Sequence, residues 1–133
     1  IMKKILGIVE GLISGFSSVL KIKNPGLFFF HTILIWVLYY LATYALCQSV
    51  GIGQLLSPLA IFTILVMGSI GMAAPTVGGM GSYHYLVSKI VTLYGVNAND
   101  GINLAFYLHT MNSIVFIGVL GAIAFLLILL SKK

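Results

Sequence analysis

The stretch that decides the fold runs from Gly68 to His84 and reads GSIGMAAPTVGGMGSYH. Its apolar run is broken by a proline and three glycines, Pro75, Gly78, Gly79 and Gly81. The polar residues Ser82 and His84 follow. Broken backbone is costly in hydrocarbon, where each unpaired N–H or C=O costs several kcal/mol. At membrane depth such a segment must be buried in protein or line a wet cavity. The alternative is an ordinary loop at the membrane surface.

The composition around this stretch is that of an integral membrane protein. The 133 residues are 60% hydrophobic and 7% charged, with a mean hydropathy of +1.14, whereas soluble domains carry roughly 25% charged residues. There is no arginine, and six of the seven lysines lie near the two ends. This charge pattern indicates membrane headgroups rather than nucleic acid, so no nucleic-acid partner is expected. Cys47 is the only cysteine, which excludes an internal disulfide.

The hydrophobic pattern predicts an all-α fold of multipass membrane helices in one membrane domain, 1–133. Its segments are an amphipathic interfacial helix at 2–20, a span at 27–50, a Gly/Pro-broken re-entrant pair at 55–74 and 83–95, and a last span at 102–130. Asp100 is predicted to cap the last helix. Trp36, Tyr40 and Thr43 form a stripe on the first span, which indicates either helix packing or a ligand groove.

The lysines also predict topology. Lysines precede the first span and follow the last, so the positive-inside rule places both ends in the cytoplasm. An even number of crossings is then required, and the simplest solution makes 55–95 a re-entrant hairpin that enters from outside. The alternative is that 55–74 crosses fully, which would place the C-terminus outside.

The polar residues do not form a recognisable catalytic or metal site. The three histidines lack the spacing and the partner ligands that zinc requires. Ser82, Tyr83 and His84 do not match the G-x-S-x-G elbow, and a triad would lack its acid. We therefore predict no catalytic residues, no metal and no cofactor.

The remaining polar groups predict a lipid-headgroup site. Lys89, His84, His109, Asn112 and the N–H groups around Gly78 to Ser82 are expected to face one cavity. A glycine-rich turn leading into a helix N-terminus favours an anion such as phosphate. Two alternatives stay open: Lys89 snorkels to the headgroups, and His109 makes an interhelical hydrogen bond.

Three runs of sequence carry a resemblance to a known family. They are GSIGMAAPTVGGMGSYHYLV, the LYGV that ends the short helix, and FYLHTMNSIVFIGVLGAIAFLL. Together they resemble the C-terminal part of the lysylphosphatidylglycerol synthase transmembrane region, a flippase-like multipass family. The most specific part is P-x-x-G-G-x-G, from Pro75 to Gly81. Many members carry a carboxylate near the position of His84, so the sequence departs from the family there.

The resemblance implies the C-terminal fragment of a larger multipass protein in the bacterial cytoplasmic (inner) membrane. It implies handling of phospholipid without the synthase activity, which belongs to a separate soluble domain. We therefore expect a non-enzymatic module that binds and translocates an anionic phospholipid headgroup, aminoacylated forms included. Its expected partners are membrane phospholipid and the rest of its own multipass protein or a neighbouring enzyme domain. The alternative is a membrane anchor or scaffold for a lipid- or sugar-modifying enzyme.

In that interpretation the headgroup site has three parts. The first part is a nest that leads to Ser82 and is shaped by Pro75, Gly78, Gly79 and Gly81. The second part contacts the phosphate and consists of His84 and Lys89. The third part completes the cavity and consists of His109 and Asn112.

Overall fold

The computed structural model describes residues 2–19 and 21–131, without the side chains at positions 2–5, 8, 9, 12, 16, 114 and 116. Lys132 and Lys133, for which the sequence predicts a cytoplasmic position, lie outside the described residues. Within the described ranges the regular structure is helical and contains no β-strand, which confirms the all-α prediction. Contacts divide the chain into two compact units, one up to Val37 and one from Leu38 onward.

The first unit contains helix α1 (Met2–Val19) and the beginning of helix α2 (Pro25–Gln48). Proline at the first position of α2 is typical, because its missing N–H would have no helical partner there. At 24 residues α2 is about 36 Å long, against a hydrocarbon core of about 30 Å. Among the described helices it is the one that is long and apolar enough to cross a membrane.

The second unit begins in the later part of α2 and contains four further α-helices. These are α3 (Pro58–Ala73), α4 (Ser82–Thr92), α5 (Ala98–His109) and α6 (Val119–Ser131), with a π-helical segment (Thr110–Gly118) between α5 and α6. Short 3₁₀ turns occupy Gly51–Leu55 and Val77–Gly79.

Helices α3 and α4 form an antiparallel hairpin. The end of α3 lies beside the start of α4, and at the opposite end the hydroxyls of Thr63 and Tyr94 are 2.9 Å apart. A Cβ added to Gly71 would lie 2.6 Å from the Cα of Tyr83, so the two backbones are in direct contact. With 16 residues α3 is about 24 Å long, shorter than a hydrocarbon core. The hairpin predicted from the central break is therefore present, and its re-entry into a membrane stays a prediction.

Helix α5 packs antiparallel to α4. A Cβ on Gly101 would lie 2.8 Å from the Val91 side chain, so the two helices approach closely at that point. The prediction that Asp100 caps this helix was wrong. Asn97 is the cap, because its side-chain oxygen accepts the N–H of Asp100 at 2.9 Å. The helix thus begins at Ala98, four residues before the predicted start, because the asparagine satisfies the first-turn donor from outside.

The core lies where α3, α4 and α5 meet the end of α2. Its buried members are Cys47, Leu56, Ala60, Ile61, Ile64, Tyr83, Val87, Val91, Val96, Leu104, Ala105 and Leu108. Large apolar side chains on the outer faces stay exposed, among them Phe62, Ile70 and Leu127. Exposed apolar surface on this scale indicates contact with lipid or with further protein. The buried core holds α3, α4 and α5 together beside the glycine-rich break.

The predicted topology can be tested with single cysteines. We expect Lys23→Cys and Lys132→Cys, each in a Cys47→Ser background, to react with a membrane-impermeant maleimide only from the cytoplasmic side. The reason is that lysine-rich flanks are retained in the cytoplasm. Labelling of position 132 from the outside would instead establish three full crossings.

Candidate functional site

The break between α3 and α4 is a tight loop with left-handed backbone. Gly78, Gly79 and Gly81 have φ angles of +59°, +72° and +85°. Only glycine adopts such angles without steric cost, which explains why this loop needs three of them. Within the loop the N–H of Met80 donates to the carbonyl of Val77 at 3.1 Å. The P-x-x-G-G-x-G pattern therefore encodes a defined backbone path.

Ser82 ties this loop to the end of α3. Its hydroxyl oxygen lies 2.7 Å from the carbonyl oxygen of Gly71 and 3.1 Å from that of Gly79. The hydroxyl of Thr76 is 2.9 Å away on another side. A hydroxyl with three such neighbours is occupied within the protein. Ser82, predicted to bind a headgroup, here holds the loop in place.

The two buried histidines brace the same loop. His109 Nε2 lies 2.9 Å from the carbonyl oxygen of Gly78, and because a carbonyl only accepts, Nε2 carries the proton. His84 Nδ1 accepts the N–H of Gly81 at 3.3 Å. The hydrogen bond foreseen as the alternative role of His109 is thus present, although its acceptor is a loop carbonyl and not another helix.

An aromatic cluster surrounds these hydrogen bonds. The ring of Tyr83 stacks on His109 with centroids 4.9 Å apart, and the ring of His84 stands perpendicular to His109 at 4.7 Å. The ring centroids of Phe106 and His84 are 4.1 Å apart. Tyr83, His84 and His109 are only 8–9% exposed. These four rings, Tyr83, His84, Phe106 and His109, pack together at the end of the hairpin and hold the loop, and we call them the aromatic plug.

A cavity of about 870 Å³ lies against this plug, within the second unit. Most of its wall is apolar, and its polar end contains Tyr83 and His109. Its lining residues are Leu38, Tyr39, Ala42, Thr43, Leu65, Gly68, Ser69, Met72, Tyr83, His109, Asn112, Ser113, Ile117, Leu120 and Gly121. No lysine in the described part of the chain lines it.

The polar side chains in the cavity wall differ in whether they already have a hydrogen-bond partner. The hydroxyls of Thr43 and Ser69 donate to carbonyls of their own helices at 2.9 Å and 2.8 Å. The Tyr83 hydroxyl and the side chains of Asn112 and Ser113 make no hydrogen bond to any described residue. These three groups are available to a bound molecule.

The structure brings some of the predicted site residues together and separates others. His109 and Asn112 line the cavity. Six others form the braced loop beside it without lining it: Pro75, Gly78, Gly79, Gly81, Ser82 and His84. Lys89 is exposed and does not line the cavity, and its Nζ lies 6.0 Å from the ring centre of Tyr85.

The separation of His84 from Lys89 follows from helix geometry. Five residues along an α-helix correspond to a rotation of about 140°, so the two side chains leave α4 in different directions. The buried face of α4 carries His84 with Val87 and Val91, whereas Leu93 is 77% exposed. The sequence interpretation, which placed His84 with Lys89 on one polar half, was wrong because burial on both α3 and α5 decides the face.

Sequence reasoning did not select Tyr83 or Ser113 as site residues. A signal for Tyr83 was present: Gly68 and Gly71 lie one turn apart on α3, and both glycines leave room for its ring and backbone. The stripe on α2 has mixed roles. Thr43 lines the cavity, whereas the Tyr40 hydroxyl donates to the carbonyl of Pro58 at 3.2 Å and serves packing.

The described residues contain no group of three or more His, Cys, Asp or Glu that could hold a metal ion. The side chains at the polar end of the cavity offer hydrogen bonds from neutral groups and one imidazole. Such an arrangement suits recognition of an amphipathic molecule.

Comparison with known families gives a clear result. The family model of the lysylphosphatidylglycerol synthase TM region matches residues 1–121. The chain belongs to this family. The match includes every residue that lines the cavity, and it makes the chain a membrane protein whose family is named for a phospholipid synthase. Neither a curated protein nor a solved structure matches the chain significantly.

Proposed function

We propose that the chain is part of a flippase-like module that binds an anionic phospholipid and moves its headgroup across the bacterial cytoplasmic membrane. In this proposal it is the C-terminal part of a multipass protein and carries no catalysis of its own. Lysylphosphatidylglycerol, the lipid in the family name, is the aminoacylated form of such a substrate.

The observation that supports this function best is the amphipathic cavity. Apolar side chains of α2, α3 and α6 form most of its wall, and the Tyr83–His109 plug forms a polar end. A phospholipid has the same division, with apolar chains joined to a polar head. A site that moves such a molecule must shelter the polar part from hydrocarbon, where an unpaired charge is very costly.

The phosphate would lie at the glycine loop. The first N–H groups of a helix have no intrahelical acceptors, and the helix dipole makes this end favourable for an anion. In α4 these groups follow directly on Gly81, whose left-handed backbone turns the chain into the helix. His109 connects the cavity to the glycine loop, since it lines the cavity and its Nε2 donates to the carbonyl of Gly78.

Translocation in liposomes tests this function. Full-length protein in vesicles with fluorescent phosphatidylglycerol in both leaflets should expose nearly all of the label to external dithionite, whereas empty vesicles expose about the outer half. The protein should act less on phosphatidylcholine, because its headgroup carries no net charge. Protein-containing vesicles that bleach like empty ones would contradict the proposal and favour the anchor or scaffold role.

The structure changes what is expected for Lys89. Lys89→Gln should alter the translocation rate less than about twofold, because an exposed charge outside the cavity contributes little to a specific contact. The same dithionite assay measures this, and Lys21→Gln, an exposed lysine between α1 and α2, is the matched control. A tenfold loss confined to Lys89→Gln would restore Lys89 to the phosphate site.

A further inference from the structure

The cavity wall includes a tyrosine whose hydroxyl has no hydrogen-bond partner among the described residues. Tyr83 is 8% exposed and lines the cavity, and its hydroxyl makes no hydrogen bond to any described residue. A hydroxyl that has no partner in the protein is available to donate to an acceptor on a bound molecule. Asn112 and Ser113 also line the wall, make no side-chain hydrogen bond within the described part of the chain, and add further donors.

The charges of the wall restrict what that acceptor can be. No lysine of the described chain lines the cavity, and the one ionisable cation in the wall, His109, already donates Nε2 to Gly78. A phosphate within this apolar wall would be an unpaired buried charge. A neutral carbonyl needs only the donors that Tyr83, Asn112 and Ser113 provide.

The apolar side chains of the wall indicate the chemistry of the rest of the ligand. The wall also includes Leu38, Leu65, Met72, Ile117 and Leu120, which offer apolar contact without hydrogen bonds. A ligand with a carbonyl next to a long aliphatic chain satisfies both parts.

From these observations we infer that the cavity holds the ester end of one acyl chain of a glycerophospholipid, with Tyr83 and Asn112 as donors to the ester carbonyl. Tyr83 and Asn112 then select ester-linked over ether-linked lipids. This inference rests on the proposed function, and it adds a recognition site for the acyl linkage that is separate from the phosphate site at the loop.

Diester and diether phosphatidylglycerol test the inference, because they differ only in the carbonyl oxygens. Full-length protein in detergent is titrated with each lipid in competition with a radiolabelled diester. The diether is expected to bind about tenfold more weakly, because it lacks the carbonyl that accepts from Tyr83 and Asn112. In Tyr83→Phe this ratio should fall to about half of the parent value or less, because the diester loses one of its two donors while the diether loses nothing.

Matched variants distinguish the loss of the Tyr83 hydroxyl from a general loss of lipid binding. Tyr83→Phe keeps the ring that stacks on His109 and removes only an unbonded hydroxyl, so the fold should persist. Tyr85→Phe, on the exposed face of α4, should keep the parent ratio. Asn112→Leu should lower the ratio independently of Tyr83, and it provides a second measure if the first variant is poorly folded.

The two proposals fail in different ways. Equal affinity for diester and diether in the parent protein, or a parent-like ratio in the Tyr83→Phe/Asn112→Leu double variant, overturns the ester site even if lipid is translocated. A normal ratio in a protein that moves no lipid supports the ester site and overturns the translocation function.

Discussion

Gly71→Val is expected to destabilise the protein by roughly 3 kcal/mol, the upper part of the usual range for overpacking. A Cβ at this position would lie 2.6 Å from the Cα and 2.9 Å from the N of Tyr83. Both neighbours are backbone atoms, so no side chain can move aside, and α3 and α4 must separate. The separation would pull the Tyr83 ring away from His109 and reduce lipid translocation as well.

The measurement is loss of helical circular dichroism on titration of the detergent-solubilised protein with sodium dodecyl sulfate. Gly11→Val in α1 is the control, because a Cβ there meets no atom within 4 Å. The control should denature like the parent. If Gly71→Val denatures like Gly11→Val, the direct contact between the two backbones is not required for stability.

His109→Phe is expected to lower the rate of lipid translocation about fivefold to tenfold. Phenylalanine keeps a flat ring to stack on Tyr83 but cannot donate to the carbonyl of Gly78, which His109 Nε2 meets at 2.9 Å. One net hydrogen bond is worth about 0.5–1.5 kcal/mol, up to about tenfold in an equilibrium. Without it the glycine loop loses one of its connections to the cavity wall, although Ser82 still ties it to Gly71, and fewer molecules present an ordered site.

His109→Gln separates the hydrogen bond from the ring. Glutamine carries an N–H donor at a similar reach but no aromatic ring, so it should recover most of the rate that phenylalanine loses. Dithionite bleaching of fluorescent phosphatidylglycerol gives the rates of both variants. A glutamine variant as slow as the phenylalanine variant would show that the contact with Gly78 is not what the reaction needs.

Much of the fold could be predicted from the sequence, because local signals decide it. The apolar run between Pro25 and Gln48 is long enough to specify a helix by itself. Pro75 and the glycines after it specify where α3 must end and the chain must turn back. The start of α5 was misplaced because Asn97 and Asp100 are both common capping residues, and only the hydrogen bond from the N–H of Asp100 to Asn97 distinguishes them.

The site was less accessible to sequence reasoning, because it depends on which helix faces which. Helical periodicity alone gives α4 a polar half with His84 and Lys89 together. Packing against α3 and α5 instead buries His84 with Val87 and leaves Lys89 outside. Ser82 illustrates the same limit: a polar residue beside a glycine loop suggests a ligand, but its hydroxyl is occupied by Gly71 and Gly79. Long-range contacts such as these leave no periodic trace in a single sequence.

The π-helical segment Thr110–Gly118 gives the last helix a place where a change of length can be absorbed. A π-helix places more residues in each turn than an α-helix does, and it is often found at functional sites. Because an α-helix needs fewer residues for the same turns, deleting one residue here would allow the segment to tighten to α-helix while the helix after it keeps much of its orientation. Leu120 and Gly121 would then stay near the cavity wall, whereas the turn that carries Asn112 and Ser113 would be rebuilt. Evolution could thus alter the polar part of this wall by a change of length alone, with α5 and the aromatic plug left in place.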